Sequence, residues 1–82
     1  MQNSIKINPT PGNVYRNKNG TDYICLGQDL YQNGSYVKRL PIMQCVKQSF
    51  GQAWTFFAHD IVQYSDGTIE WARSTHGRFE NP

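Results

Sequence analysis

Apolar and polar residues alternate along this chain in short runs, and small polar pairs separate one run from the next. Val14 and Tyr15 open the first run, and residues 21–26 form a second that is rich in β-formers. Pro41 cannot donate to a sheet ladder, so it marks the start of a further strand over residues 42–48. Residues 53–59 read as the next strand. Successive strand side chains point to opposite faces, which puts Trp54, Phe56 and Ala58 on one side and Thr55, Phe57 and His59 on the other. Residues 61–64 and 68–73 complete the pattern. No helix longer than a single turn is predicted.

The separators Asn19-Gly20, Asn33-Gly34 and Asp66-Gly67 are strong hairpin signals. A two-residue type I′ turn needs positive φ at both central residues, which Asn, Asp and Gly tolerate. Such a turn at Asp66-Gly67 pairs Tyr64 with Ile69, Val62 with Trp71 and Asp60 with Arg73, three chemically sensible pairs. At Asn33-Gly34 it sets Tyr31 opposite Tyr36 and Leu30 opposite Val37, with residues 28–40 either a short hairpin or a long projecting loop. Residues 1–11 carry Pro9 and Pro11 and read as an N-terminal arm or edge segment, and residues 12–82 as a single β domain. The expected fold is all-β: a small antiparallel meander of five to six strands, closed as an SH3-like barrel or strongly bent.

Composition narrows the function more than it names it. A chain of 82 residues with 38% hydrophobic residues has a small core, in which the five Tyr, four Phe and two Trp must carry much of the burial. Eight basic and six acidic residues leave a net charge of +2, too weak to announce a nucleic-acid or membrane partner. Residues 1–8 lack the apolar region of a secretory signal, and no run approaches a membrane span, so the expected setting is cytoplasmic with Cys25 and Cys45 as thiols. A disulfide between them requires their strands to lie side by side.

No catalytic or metal-binding arrangement emerges. Zinc sites are built on close Cys or His pairs, and His59, His76, Cys25 and Cys45 contain none. His59 and Asp60 are adjacent strand residues that point apart, so they do not form an acid–base pair. Phosphate loops of the G-x-x-x-x-G-K and G-x-G-x-x-G types are absent. The expectation is a non-enzyme with no cofactor and no metal.

The suggestive chemistry lies in the aromatics and near the C-terminus. Phe56 and Phe57 must face opposite sides, which predicts one in the core and the other at a rim, where an exposed ring can stack or anchor a partner. Residues 73–79 offer Arg73, Ser74, Thr75, His76 and Arg78: guanidinium groups for bidentate phosphate contacts, with hydroxyls to complete an anion site. The expected contact residues are Phe57, His59, Arg73, Ser74, Thr75, His76 and Arg78.

The run Gly12-Asn13-Val14-Tyr15-Arg16 with Asn19-Gly20 and Tyr23-Ile24-Cys25-Leu26 looks like the opening hairpin of SH3-like barrels. The runs over residues 54–59 and 64–71 resemble small proteins of bacteriophages and mobile elements in Firmicutes. That resemblance implies a binding protein that counters host defence, with a host defence protein or an anionic nucleotide as partner. The alternative is a nucleic-acid-binding SH3-like module, with Lys38, Arg39 and Lys47 supplying a basic stripe beside exposed aromatics. A domain this small can also enlarge its core by pairing with a second copy.

Overall fold

The computed structural model describes residues 3–48 and 54–75. It is all-β, with eight strands: β1 (Ser4–Lys6), β2 (Val14–Arg16), β3 (Asp22–Asn33), β4 (Tyr36–Cys45), β5 (Phe56–His59), β6 (Val62–Tyr64), β7 (Ile69–Glu70) and β8 (Arg73–Thr75). They form two antiparallel sheets, one ordered β1-β6-β7 and the other β2-β3-β4-β5-β8. The expected strand count of five to six is thus exceeded. Among the described residues the sheets do not close into a barrel. No described helix is long and apolar enough to cross a membrane.

The two sheets are one bent surface. Residues 56–64 and 68–75 are the arms of a single hairpin: Phe57, Ala58 and His59 face Thr75, Ser74 and Arg73, and Val62 and Gln63 face Glu70 and Ile69 in the same register. The hairpin crosses from the larger sheet to the smaller at Asp60 and Ile61. Asp60 takes φ 57, a left-handed conformation that Asp adopts more readily than most residues. The Ala72 N–H donates to the His59 carbonyl across the corner at 2.8 Å, and Asp60 pairs with Lys6 at 3.7 Å. The N-terminal arm supplies β1, which runs along β6. A parallel bridge between Asn17 and Ile69 ties the sheets together at the far end.

Every one of the three turns is shifted from the expected type I′. At Asp66-Gly67, the Gly67 N–H donates to the Tyr64 carbonyl and the Tyr64 N–H to the Thr68 carbonyl, both at 2.9 Å. The loop therefore has three residues and only Gly67 has positive φ, at 89°. Asp66 instead accepts the Thr68 N–H at 3.0 Å. This is a type I turn closed by a glycine bulge. The extra residue slips the register by one, so Val62 faces Glu70 rather than Trp71, and His59 rather than Asp60 faces Arg73. The Asn19-Gly20 loop has the same form, with Gly20 at φ 91°. The third turn centres on Gly34-Ser35, so Tyr31 faces Lys38 and Leu30 faces Arg39.

Gly67 has open space where a Cβ would lie, so substitution there tests the backbone alone. Gly67→Val is expected to cost about 1–2 kcal/mol through positive-φ strain, a fall of roughly 5–15 °C in melting temperature. An unchanged melting temperature would contradict the bulged turn.

Residues 28–40 take the hairpin of the two expected forms rather than the loop, and the hairpin is longer than those residues. They are the outer halves of β3 and β4, two long strands interrupted by a bulge between Cys25 and Gly27. Pro41 sits inside β4, opposite Gln28, instead of starting a strand at residue 42, and β5 reaches only Ile42 and Met43. Beyond that point the hairpin projects as a two-stranded arm whose Leu30, Tyr36 and Val37 are exposed.

Hydrophobic residues pack on both faces of the larger sheet. Cys25, Met43, Phe56, Ala58, Ile61 and Ile69 fill the space between the sheets, with Ile7, Tyr15, Tyr23 and Trp71 at its margin. Trp71 is half-buried against Tyr23 and Phe56 rather than enclosed opposite Val62. Leu40, Ile42 and Phe57 form a second cluster on the opposite face, covered by Tyr31. Cys25 and Cys45 are free; burial pushes the Cys25 thiol up, and its Sγ donates to the Pro9 carbonyl.

Candidate functional site

The β5–β8 pairing brings five of the seven expected contact residues together: Phe57, His59, Arg73, Ser74 and Thr75. His76 and Arg78 lie outside the described residues. The pleat then divides the five. Phe57, His59, Arg73 and Thr75 share the outer face of the larger sheet, while Ser74 points with Ala58 to the other side.

Two of these residues are not the exposed groups that the strand pattern predicts. Phe57 is 1% exposed and His59 3%. The reason is that this sheet is covered on both faces: Tyr31 of the projecting arm folds onto the outer side, its ring 5.4 Å from Phe57 and 4.9 Å from His59, edge to face in both cases. Phe57 is therefore a packing residue beneath the site. His59 sits at the margin of the same cluster, where its Nε2 shares a 3.0 Å hydrogen bond with Thr75 Oγ1.

The electrostatics around His59 are one-sided. Burial lowers its pKa, and the positive charges of Arg73 and Lys38 lower it further; Asp60 opposes them weakly. Lys38 comes from β4, opposite Tyr31, so the arm delivers a cation as well as an aromatic ring. Among the described residues no carboxylate pairs with Lys38 or Arg73, whereas Lys6, Arg16 and Lys18 are paired with Asp60, Asp22 and Asp66. Around the foot of the arm, Lys6, Lys38 and Arg39 also line a cavity of about 390 Å³, with Asp60 opposing them. The result is a neutral buried imidazole and a hydroxyl beside two cations that hold no ion pair among the described residues, an arrangement that favours an anion.

The depressed His59 pKa has a consequence for stability. An unfolded His titrates near its ordinary value of 6.5, while the folded imidazole resists protonation. Its contribution is therefore complete above pH 6.5 and is lost as the pH falls from there through the lowered folded value. Denaturation midpoints are expected to drop between pH 7.5 and 5 by more in the wild type than in His59→Gln. Equal drops in the two proteins would contradict the burial of a neutral His59.

Arg39, Lys38 and Lys47 do not form a stripe. Arg39 pairs with Leu30 on the face opposite to Lys38. Lys47 lies in the turn after β4, near Asp22. Among the described residues no group of three His, Cys, Asp or Glu side chains comes together to hold a metal ion.

Tyr31 and Lys38 belong to this site but are not among the seven expected contact residues; Lys38 enters the sequence reading only through the basic stripe of the nucleic-acid alternative. Their only local signal is the register of the Gly34-Ser35 hairpin, which places them opposite each other. Comparison of the chain with protein-family models, with curated proteins and with solved structures finds no match.

Proposed function

We propose that this chain is a non-enzymatic binding protein that holds an anionic group over the outer face of β5 and β8. Arg73 and Lys38 supply the charge, and Thr75 supplies a hydroxyl anchored by His59. The observation that carries this reading is the pair of cations acting on His59 with no carboxylate paired to either among the described residues. Arg73 is exposed and Lys38 half-buried, so both can reach a ligand.

The resemblance of residues 54–59 and 64–71 to phage and mobile-element proteins supplies the setting: a counter-defence factor in the host cytoplasm that blocks a defence protein or sequesters a nucleotide signal. The common chemistry is a phosphate or carboxylate group. Calorimetric titration with linear and cyclic nucleotides, short oligonucleotides and candidate host effector proteins tests it. Binding by at least one anionic class, lost in Arg73→Ala with Lys38→Ala, supports the proposal. Equal affinity in wild type and double variant overturns it. A steep salt dependence with generic DNA or RNA would instead favour the nucleic-acid module.

A further inference from the structure

A second surface, on the other side of β8, has the opposite chemistry. Ser74 faces an open groove of about 490 Å³ between the Asn17–Asn19 turn, the end of β4 and Trp71. Tyr23, Phe56 and Trp71 form its aromatic wall. The Tyr23 ring meets Trp71 at 4.9 Å and 85° and Phe56 at 5.7 Å and 89°, both edge to face, while Phe56 and Trp71 are tilted by 48° at 5.3 Å. Trp54 lines the same groove and is 49% exposed, a large apolar surface open to a ligand.

The polar lining is made of amides, hydroxyl and carboxylate. The Asn17 and Asn19 side-chain carbonyls accept the N–H groups of Asn19 and Thr21, which fixes both side chains and turns their NH₂ groups outward as donors, that of Asn19 already engaging the Tyr23 hydroxyl with one of its two N–H bonds. Glu70 is an acceptor, oriented by a hydrogen bond from the Tyr64 hydroxyl. Among the described residues no Lys or Arg lines the groove, and Glu70 is its one charged side chain.

We infer that this groove is a binding site for a neutral, hydroxyl-rich ligand, a sugar unit, stacked on Trp54 and Trp71 and hydrogen-bonded by the Asn amides and Glu70. Aromatic faces take the apolar C–H side of a sugar ring, and hydroxyls both donate and accept, which matches a lining of amide donors and a carboxylate acceptor. The volume lies within the range of small-ligand sites. A phosphorylated ligand meets the Glu70 charge, and no Lys or Arg among the described residues lines the groove to offset it. A flat base would use the same ring faces, but it lacks the several hydroxyls that the amide donors and Glu70 match. An organic cation would use Glu70 and the rings but leave the amide donors idle. This site is independent of the anion-binding face, from which β8 separates it.

Trp54 and Trp71 are the chain's two tryptophans, so its intrinsic Trp emission reports on the groove. The full-length protein is titrated into the millimolar range with maltose, cellobiose, lactose and chitobiose, and in parallel with adenosine and choline. The expected result is a saturable change in emission with at least one sugar. Trp54→Ala should weaken it at least fivefold, read from Trp71, since loss of a stacking face has roughly that effect or more. Glu70→Gln, which keeps the shape, should weaken it with native spectra even if Trp54→Ala does not fold. Arg73→Ala with Lys38→Ala should leave it unchanged, which separates this site from the anion-binding one. No saturable response to any sugar, or a tighter response to adenosine or choline, overturns the inference.

Discussion

Phe57→Ala is expected to destabilise the fold by about 3–5 kcal/mol, the usual cost of emptying a buried aromatic site. Phe57 is among the largest fully buried side chains, and it holds the second cluster together: Leu40 and Ile42 beside it in the sheet, Tyr31 above it. A domain of this size has little stability in reserve, so the variant should be largely unfolded at room temperature or melt far below the wild type. The collapse should also reach the arm, because Tyr31 loses one of the two rings it packs on. Tyr31→Ala is the milder companion, since Tyr31 is only half-buried. A folded Phe57→Ala protein with a melting temperature close to wild type would mean that the outer face of the larger sheet is not packed as described.

Much of this architecture can be read from the chain, and the misreadings have a common cause. The alternation over residues 56–59 correctly separates Phe56 and Ala58 from Phe57 and His59, because the two-residue period of a strand does not depend on what covers it. What the period cannot reveal is whether the second face is covered. The covering residue, Tyr31, arrives from a hairpin more than twenty positions away. The Asx-Gly pairs mark turns but not turn length: Asp66-Gly67 can centre a two-residue loop or close a three-residue one, and the second choice moves Trp71 away from Val62. Asp60 shows a further limit. Nothing in a local pattern says that a hairpin changes sheets at a left-handed aspartate.

The candidate site divides the same way. Arg73 and Thr75 draw attention by residue type, and their placement beside His59 and Phe57 follows from the hairpin that joins the two segments. Lys38 looked like half of a Lys-Arg pair. The pleat splits that pair and gives Lys38 to the face that holds His59, with Arg39 on the other side.

Arg73→Ala with Lys38→Ala is expected to weaken binding of the anionic partner by about 2–5 kcal/mol, roughly 30- to 5,000-fold, while the fold remains intact. The fold is spared because neither cation holds an ion pair among the described residues, so their removal leaves no carboxylate there unpaired. The loss in binding is large because a bound anion surrenders water and is left with the neutral His59–Thr75 pair alone. Salt should weaken the wild-type interaction and have little further effect on the double variant.

The most direct measurement is the pKa of His59, followed by NMR of its ring protons with and without inorganic pyrophosphate, with His76→Gln used to assign the signal. In the free protein it should lie below 6.5, held down by burial, Arg73 and Lys38. An anion bound between the two cations stabilises the imidazolium, so the pKa should rise on adding pyrophosphate, and the rise should vanish in Arg73→Ala with Lys38→Ala. A His59 pKa that is the same with and without pyrophosphate would contradict an anion site on this face.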